Sequence, residues 1–174
     1  MTALIITLHV LSFVLGRTFA AACEWGIHRY IFHGSGKRRG SPFSFHYRDH
    51  HRACRKQEMV DTTYTGGSVW SWSGRAREVW GCALLSVLLS PLLLWTPLFV
   101  LGAWYGGARY LYVHQKTHLD PQWCLDHAPW HYDHHMAPDQ DANWGVTIEW
   151  LDRLCGTRKP WPGRPVSERR AAPC

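Results

Sequence analysis

Chemistry in this chain is concentrated in its histidines. Ten of the 12 fall in four clusters: His28-x4-His33, His46-x3-His50-His51, His114-x3-His118 and His131-x2-His134-His135. Only His9 and His127 lie outside them. Neutral imidazole is the commonest metal-ligating side chain and suits iron, zinc, copper and nickel. Ten imidazoles are enough for two metals at about five ligands each. A lone histidine is ordinarily a core or surface residue, whereas four clusters of two or three imply a metal centre. A pH-sensing or merely basic surface is the plainer alternative.

The spacings carry geometry. An α-helix turns about 100° per residue, so separations of three and four place two side chains on one face. His114 and His118 then share a face, as do His46 and His50, and as do His131, His134 and His135. A separation of five, as in His28 and His33, suits an α-helical face poorly, so that pair is expected to straddle a helix end near Gly34. Glu24 precedes His28 by one turn and is placed to accept the second N–H of that imidazole. Asp49 and Asp133 lie inside clusters and are candidates for the same orienting role, or are solvated loop carboxylates.

Apolar segments must position these clusters. Ala3–Ile27 is mostly apolar and carries His9, Arg17 and Glu24. It is read as a retained membrane span rather than a signal peptide. No Lys or Arg precedes Arg17, no small-residue cleavage site is clear, and the segment runs directly into His28. Val79–Val113 holds Arg109 as its only charge, with Pro91 and Pro97 flanking Trp95-Thr96. Proline breaks helices, so two helices of about 16–17 residues joined by a tight turn are expected, somewhat short for an average bilayer. Arg17 and Arg109 either pair with Glu24 or reach toward the interface. The fold class is therefore an all-α integral membrane protein of about three spans, with a helical cap carrying the histidines.

Charge sets the expected orientation. Apart from Arg17 and Arg109, every Lys and Arg lies in 28–78 or 114–174. Cationic loops stay cytoplasmic, so the N-terminus is expected outside, with the histidine clusters and the C-terminus in the cytoplasm. One site needs every cluster on one side, so the chain must cross an even number of times between His51 and His114; a hairpin does so. A soluble helical protein with a buried hairpin is the alternative, and it leaves the charge asymmetry as coincidence. The net charge of +6 fits anionic lipid headgroups; no folded nucleic-acid-binding module is present. The six cysteines contain no Cys-x-x-Cys pair and read as free thiols in a reducing compartment. One domain covers 1–174, with 157–174 read as a tail.

The motifs as a set resemble a known superfamily. Glu24-Trp-Gly-Ile-His28-Arg-Tyr-Ile-Phe-His33 is similar to the first histidine box of the fatty acid hydroxylase/sterol desaturase superfamily, and His131-Tyr-Asp-His134-His135 to its last. Asn143-Trp-Gly145-Val-Thr147-Ile-Glu-Trp150-Leu-Asp152-Arg-Leu-Cys-Gly156-Thr157 resembles the signature that follows that box. Asn143 joins the candidates for orienting the ligands. Short bacterial carotenoid hydroxylases are similar in length and box order, but lack a close counterpart of the Gly-Val-Thr signature.

The resemblance implies two iron ions held by His28, His33, His46, His50, His51, His114, His118, His131, His134 and His135, with no catalytic residue beyond these ligands. It implies O2 as co-substrate and a separate electron donor, a ferredoxin or a b-type cytochrome, since no fused cytochrome domain is seen. Zinc takes the same ligands, so expressed protein can carry it. The expected function is O2-dependent hydroxylation of an unactivated C–H bond in a lipid, fatty acyl or sterol-like. Desaturation shares the first half-reaction. The rivals are carotenoid ring hydroxylation and a non-catalytic metal-binding membrane protein. The expected location is a bacterial inner membrane.

Overall fold

A computed structural model describes residues 2–166 of the chain. The described residues form helices and loops only. The expected tail at 157–174 is a loop through 166, and its remainder, with Cys174, lies outside the described residues. No disulfide joins the described cysteines.

The first apolar segment is α1, Thr2–Gly26, which continues without a break into a π-helix, Ile27–Ser35. A second π-helix, Phe45–His50, leads into α2, His51–Lys56. The second apolar region is a hairpin, as its two prolines predict. Its first arm is α3, Gly74–Leu89, opened by the Ser73 side chain accepting the Ala76 N–H. A 3-10 turn, Ser90–Leu94, follows, and Trp95 and Thr96 turn the chain. Its second arm is α4, Pro97–Leu119, with Pro97 at the first helical position. At 16 and 23 residues the arms are unequal, because α4 runs on through the third histidine box. Three short helices complete the chain: α5 (Pro121–His127), α6 (Pro129–Met136) and α7 (Trp150–Leu154).

Two helical runs are long and apolar enough to cross a membrane, Thr2–Ser35 and Gly74–Leu94. Their apolar side chains face outward, Leu4, Ile6, Leu84 and Leu88 among them. α4 has the length but falls short in apolarity, carrying His114, Lys116 and His118 in its last turns. It packs along α1. That packing is close because glycines face backbone: a Cβ on Gly16 would overlap the Phe99 carbonyl, and one on Gly102 the Phe13 carbonyl. Small residues at a helix crossing give this intimacy where lipid offers no hydrophobic drive between helices. Neither Arg17 nor Arg109 pairs with Glu24; the Arg109 Nε is buried without a partner.

Candidate metal centre

All ten clustered histidines are buried, and they come together in one place. Ligand nitrogens of His28, His33, His46, His51 and His134 lie within 4.8 Å of one another, as do those of His50, His114, His118 and His135. His131 adjoins the second group, its Nε2 3.1 Å from that of His118. The groups abut: the rings of His51 and His135 are 4.2 Å apart. His9 is exposed on α1, and exposed His127 stacks on Trp123; both stand outside the centre.

Local backbone form decides which histidine joins which group. His28 and His33 do not straddle a helix end. They lie on a π-helix, whose hydrogen bonds run i→i+5, so residues five apart are one turn apart. The second π-helix does the same for His46 and His51, which share a group, while His50 goes to the other. The expected pairing of His46 with His50 on an α-helical face is thereby corrected. His114 and His118, four apart on α4, keep the α-helical pairing. On α6 the consecutive His134 and His135 diverge, one to each group.

Each group has its own set of outer hydrogen bonds. In the five-histidine group these come from one strap, Gln140–Trp144. His28 Nδ1 meets the Trp144 carbonyl at 2.6 Å and His134 Nδ1 the Ala142 carbonyl at 2.7 Å. His33 Nδ1 meets Asp141 at 3.3 Å, whereas the Gln140 side-chain N–H donates to His51 Nδ1 at 3.1 Å. In the four-histidine group His50 Nδ1 donates to Asp61 at 2.7 Å, His114 Nδ1 to Glu78 at 2.9 Å and His118 Nδ1 to the Met59 carbonyl at 3.0 Å. An Nδ1–H held by an oxygen leaves the Nε2 lone pair facing inward.

The donor set fits metal. The Nε2 atoms of His28 and His46 face each other at 2.9 Å, those of His33 and His51 at 3.1 Å, and those of His51 and His134 at 3.2 Å. In the other group the Nε2 atoms of His50, His114 and His135 are buried with no protein partner. Buried unpaired acceptors are costly, and a cation among them would satisfy them together. Burial, then crowding by neighbouring imidazoles, holds His46, His51, His131 and His135 far below the ordinary imidazole range. Burial takes His134 down to about 3 against the opposing pull of the Ala142 carbonyl. Burial also lowers His50, although Asp61 draws it back up. These rings are neutral at pH 7, the form that binds metal. His50, Cys54 and Asp61 form a further close group. Within it His50 Nδ1 donates to Asp61, and burial keeps the Cys54 thiol far above its usual range.

A fatty acid hydroxylase family model matches residues 13–157. The chain belongs to the fatty acid hydroxylase family. No curated protein and no solved structure matches it. Family membership implies an oxygenase or hydroxylase-type enzyme, and the two long apolar helices mark this fatty acid hydroxylase family member as a membrane protein.

The four acid and amide candidates for orienting the ligands act elsewhere. Glu24 touches no clustered histidine. It accepts the Val146 and Thr147 N–H groups and the Thr147 hydroxyl, the last at 2.8 Å. Asp49 is exposed and bonds to no ligand. Asp133 is fully buried and pairs with Arg158 at 3.0 Å and Arg164 at 2.7 Å. Asn143, with φ at 59°, accepts from Arg158 and from the Lys159 N–H. Glu24, Asp133 and Asn143 therefore fasten the strap or the segment behind it. Asp152, part of the signature but given no role from sequence, fastens it further by accepting from Trp25, Trp144, Gly145 and Thr157. A Cβ on Gly145 would overlap the Ile148 carbonyl, which accounts for glycine in the Gly-Val-Thr signature. The orienting groups that sequence reasoning missed are Asp61, Glu78, Gln140, Asp141 and three carbonyls. Glu78 had a signal: it is the sole acid between Asp61 and Asp120 and stands at the mouth of an apolar stretch.

Proposed function

We propose that this chain is a membrane-bound di-iron hydroxylase that inserts oxygen from O2 into an unactivated C–H bond of a lipid. The observation that carries the reading is a cavity of about 790 Å³ between α1, α3 and α4. Its wall is apolar along the helices, with Ile27, Leu85 and Leu89, and includes His28, Glu78 and Tyr110 at the histidine end. A volume of this size suits a small-molecule ligand, and an apolar chain entering it from the membrane reaches the centre without crossing water.

The ten clustered histidines would hold two iron ions, the five-histidine group one and the four-histidine group with His131 the other. When bound, the metal pair supplies O2 activation and hydrogen abstraction, chemistry that side chains lack. The protein's part is placement. The strap and the carboxylates fix the imidazoles, the apolar walls exclude water, and the cavity holds one carbon in register with the centre. Insertion of one oxygen atom leaves the other as water and consumes an electron pair from a separate donor, a ferredoxin or b-type cytochrome. Exposed Arg38, Arg39, Arg52 and Lys56 near the boxes give an acidic donor a surface to approach by steering.

The decisive experiment is iron-loaded protein with a reductant system and 18O2. Label in a lipid hydroxyl supports the reading. Label in a carotenoid ring hydroxyl alone replaces the substrate, a new double bond without label replaces the outcome by desaturation, and no turnover by reducible iron-loaded protein overturns the enzyme. We also propose α4 as a third span, with the boxes and C-terminus in the cytoplasm. Reporter fusions after Thr96 and Thr157 should report opposite sides, and a common side defeats that arrangement.

A further inference from the structure

The cavity has one cation in its wall. Arg77 is the single Lys or Arg among the lining residues, and no carboxylate among the described residues pairs with it. Its Nε is buried without a hydrogen-bond partner, and the one side-chain bond it makes among the described residues, from Nη1 to the Pro42 carbonyl, is long at 3.4 Å. The guanidinium lies over the Phe45 ring at 4.8 Å and beside Trp72 at 5.9 Å. Trp70 and Trp72, which line the same end, are 76% and 81% exposed, so Arg77 stands where the cavity opens. The Nη1 side of the guanidinium is exposed at this mouth, and its planar fork matches a carboxylate or a phosphate.

We propose that Arg77 binds the anionic headgroup of an acyl amphiphile whose tail fills the cavity. The inference rests on the hydroxylase reading only for the fate of that lipid; headgroup binding stands on its own. The rest of the lining sets one orientation. Glu24 and Glu78 are already committed, to Val146 and Thr147 and to Tyr64 and His114, and offer an anion no donor. The headgroup is thus held at Arg77, on the first turn of α3, and the tail lies further along that helix, past Leu85 and Leu89. Sterols and carotenoids carry no charge to pair with the guanidinium, so the substrate class is acyl chains with an acidic head. Carboxylate and phosphate heads share this chemistry.

The test is bromine quenching of tryptophan fluorescence in full-length protein held in neutral phosphatidylcholine nanodiscs at pH 8. The probes are bromine-labelled stearate, its methyl ester, bromine-labelled lysophosphatidate and bromine-labelled stearylamine. Wild type should bind stearate or lysophosphatidate about tenfold more tightly than the ester, the scale of one charge-assisted contact. Whichever of the two anions binds more tightly identifies the head. R77Q should lose that preference while keeping ester affinity within about twofold. Equal binding of acids and ester by wild type, or an undiminished preference in R77Q, overturns the proposal. Should R77Q fail to bind the ester, the amine decides without any variant: it should bind wild type more weakly than the ester, and equal or tighter binding overturns the proposal. Failure here with lipid hydroxylation intact removes the headgroup claim alone. Arg77-dependent anion binding in protein that hydroxylates nothing removes the hydroxylase reading alone.

Discussion

The five-histidine group takes its outer hydrogen bonds from four residues of one strap, Gln140–Trp144, whereas the four-histidine group takes its own from residues spread over 59–78. The chemistry differs as well. The first group leans on two backbone carbonyls, a neutral amide and Asp141, whose side chain is 52% exposed and shared with Lys37. The second leans on Asp61 and Glu78, both buried. A buried carboxylate makes its imidazole a stronger donor, so a metal in the four-histidine group meets more negative charge. One group is therefore built to depend on how a loop is fastened, the other on individual side chains.

Ligand removal should break the comparison most sharply. His51→Ala/His134→Ala empties one group and His50→Ala/His135→Ala the other, although each pair of variants alters neighbours in sequence. Each is expected to lower metal content from about two equivalents to about one and to abolish turnover. Elemental analysis showing both metals lost from either variant would mean that the groups do not fill independently. Chelation of both metals should lower the melting temperature, because the buried, unpaired nitrogens return.

Fastening comes next. Gly145→Ala should disturb the strap through the Ile148 carbonyl, cost about 1–3 kcal/mol and loosen metal in the five-histidine group while sparing the other. A spectroscopic signal that changes equally at both metals would count against the strap's selectivity. Glu78→Gln and Asp61→Asn should lower activity or metal affinity about 10- to 100-fold, in the four-histidine group only. Asp141→Asn, half exposed and screened, should cost no more than about threefold; parity with Glu78→Gln would remove the distinction between buried and exposed partners. The smallest effects belong to His9→Ala and His127→Ala, each within about 0.5 kcal/mol of wild-type stability with full metal content.

The sequence by itself determined the ingredients. Histidine clusters at the ends of apolar segments announce a metal centre, because few other uses need so many imidazoles in so little chain. Pro91 and Pro97 announce the hairpin, because proline cannot continue a helix. The Gly-Val-Thr signature announces the family.

Only the tertiary structure decided the assembly. Sequence periodicity assumes an α-helix, and the two π-helices break that assumption; His28 and His33 therefore share a turn, and His46 partners His51 instead of His50. Glu24 is one turn from His28 in sequence yet turns to the 146–147 amides, because unpaired backbone N–H groups compete for a buried carboxylate. The orienting groups for His28, His134 and His118 are backbone carbonyls, which every residue possesses and no sequence pattern marks. Asp61, Glu78 and Arg77 gain their roles from burial and from which helix packs against which, and those are settled only when distant segments meet.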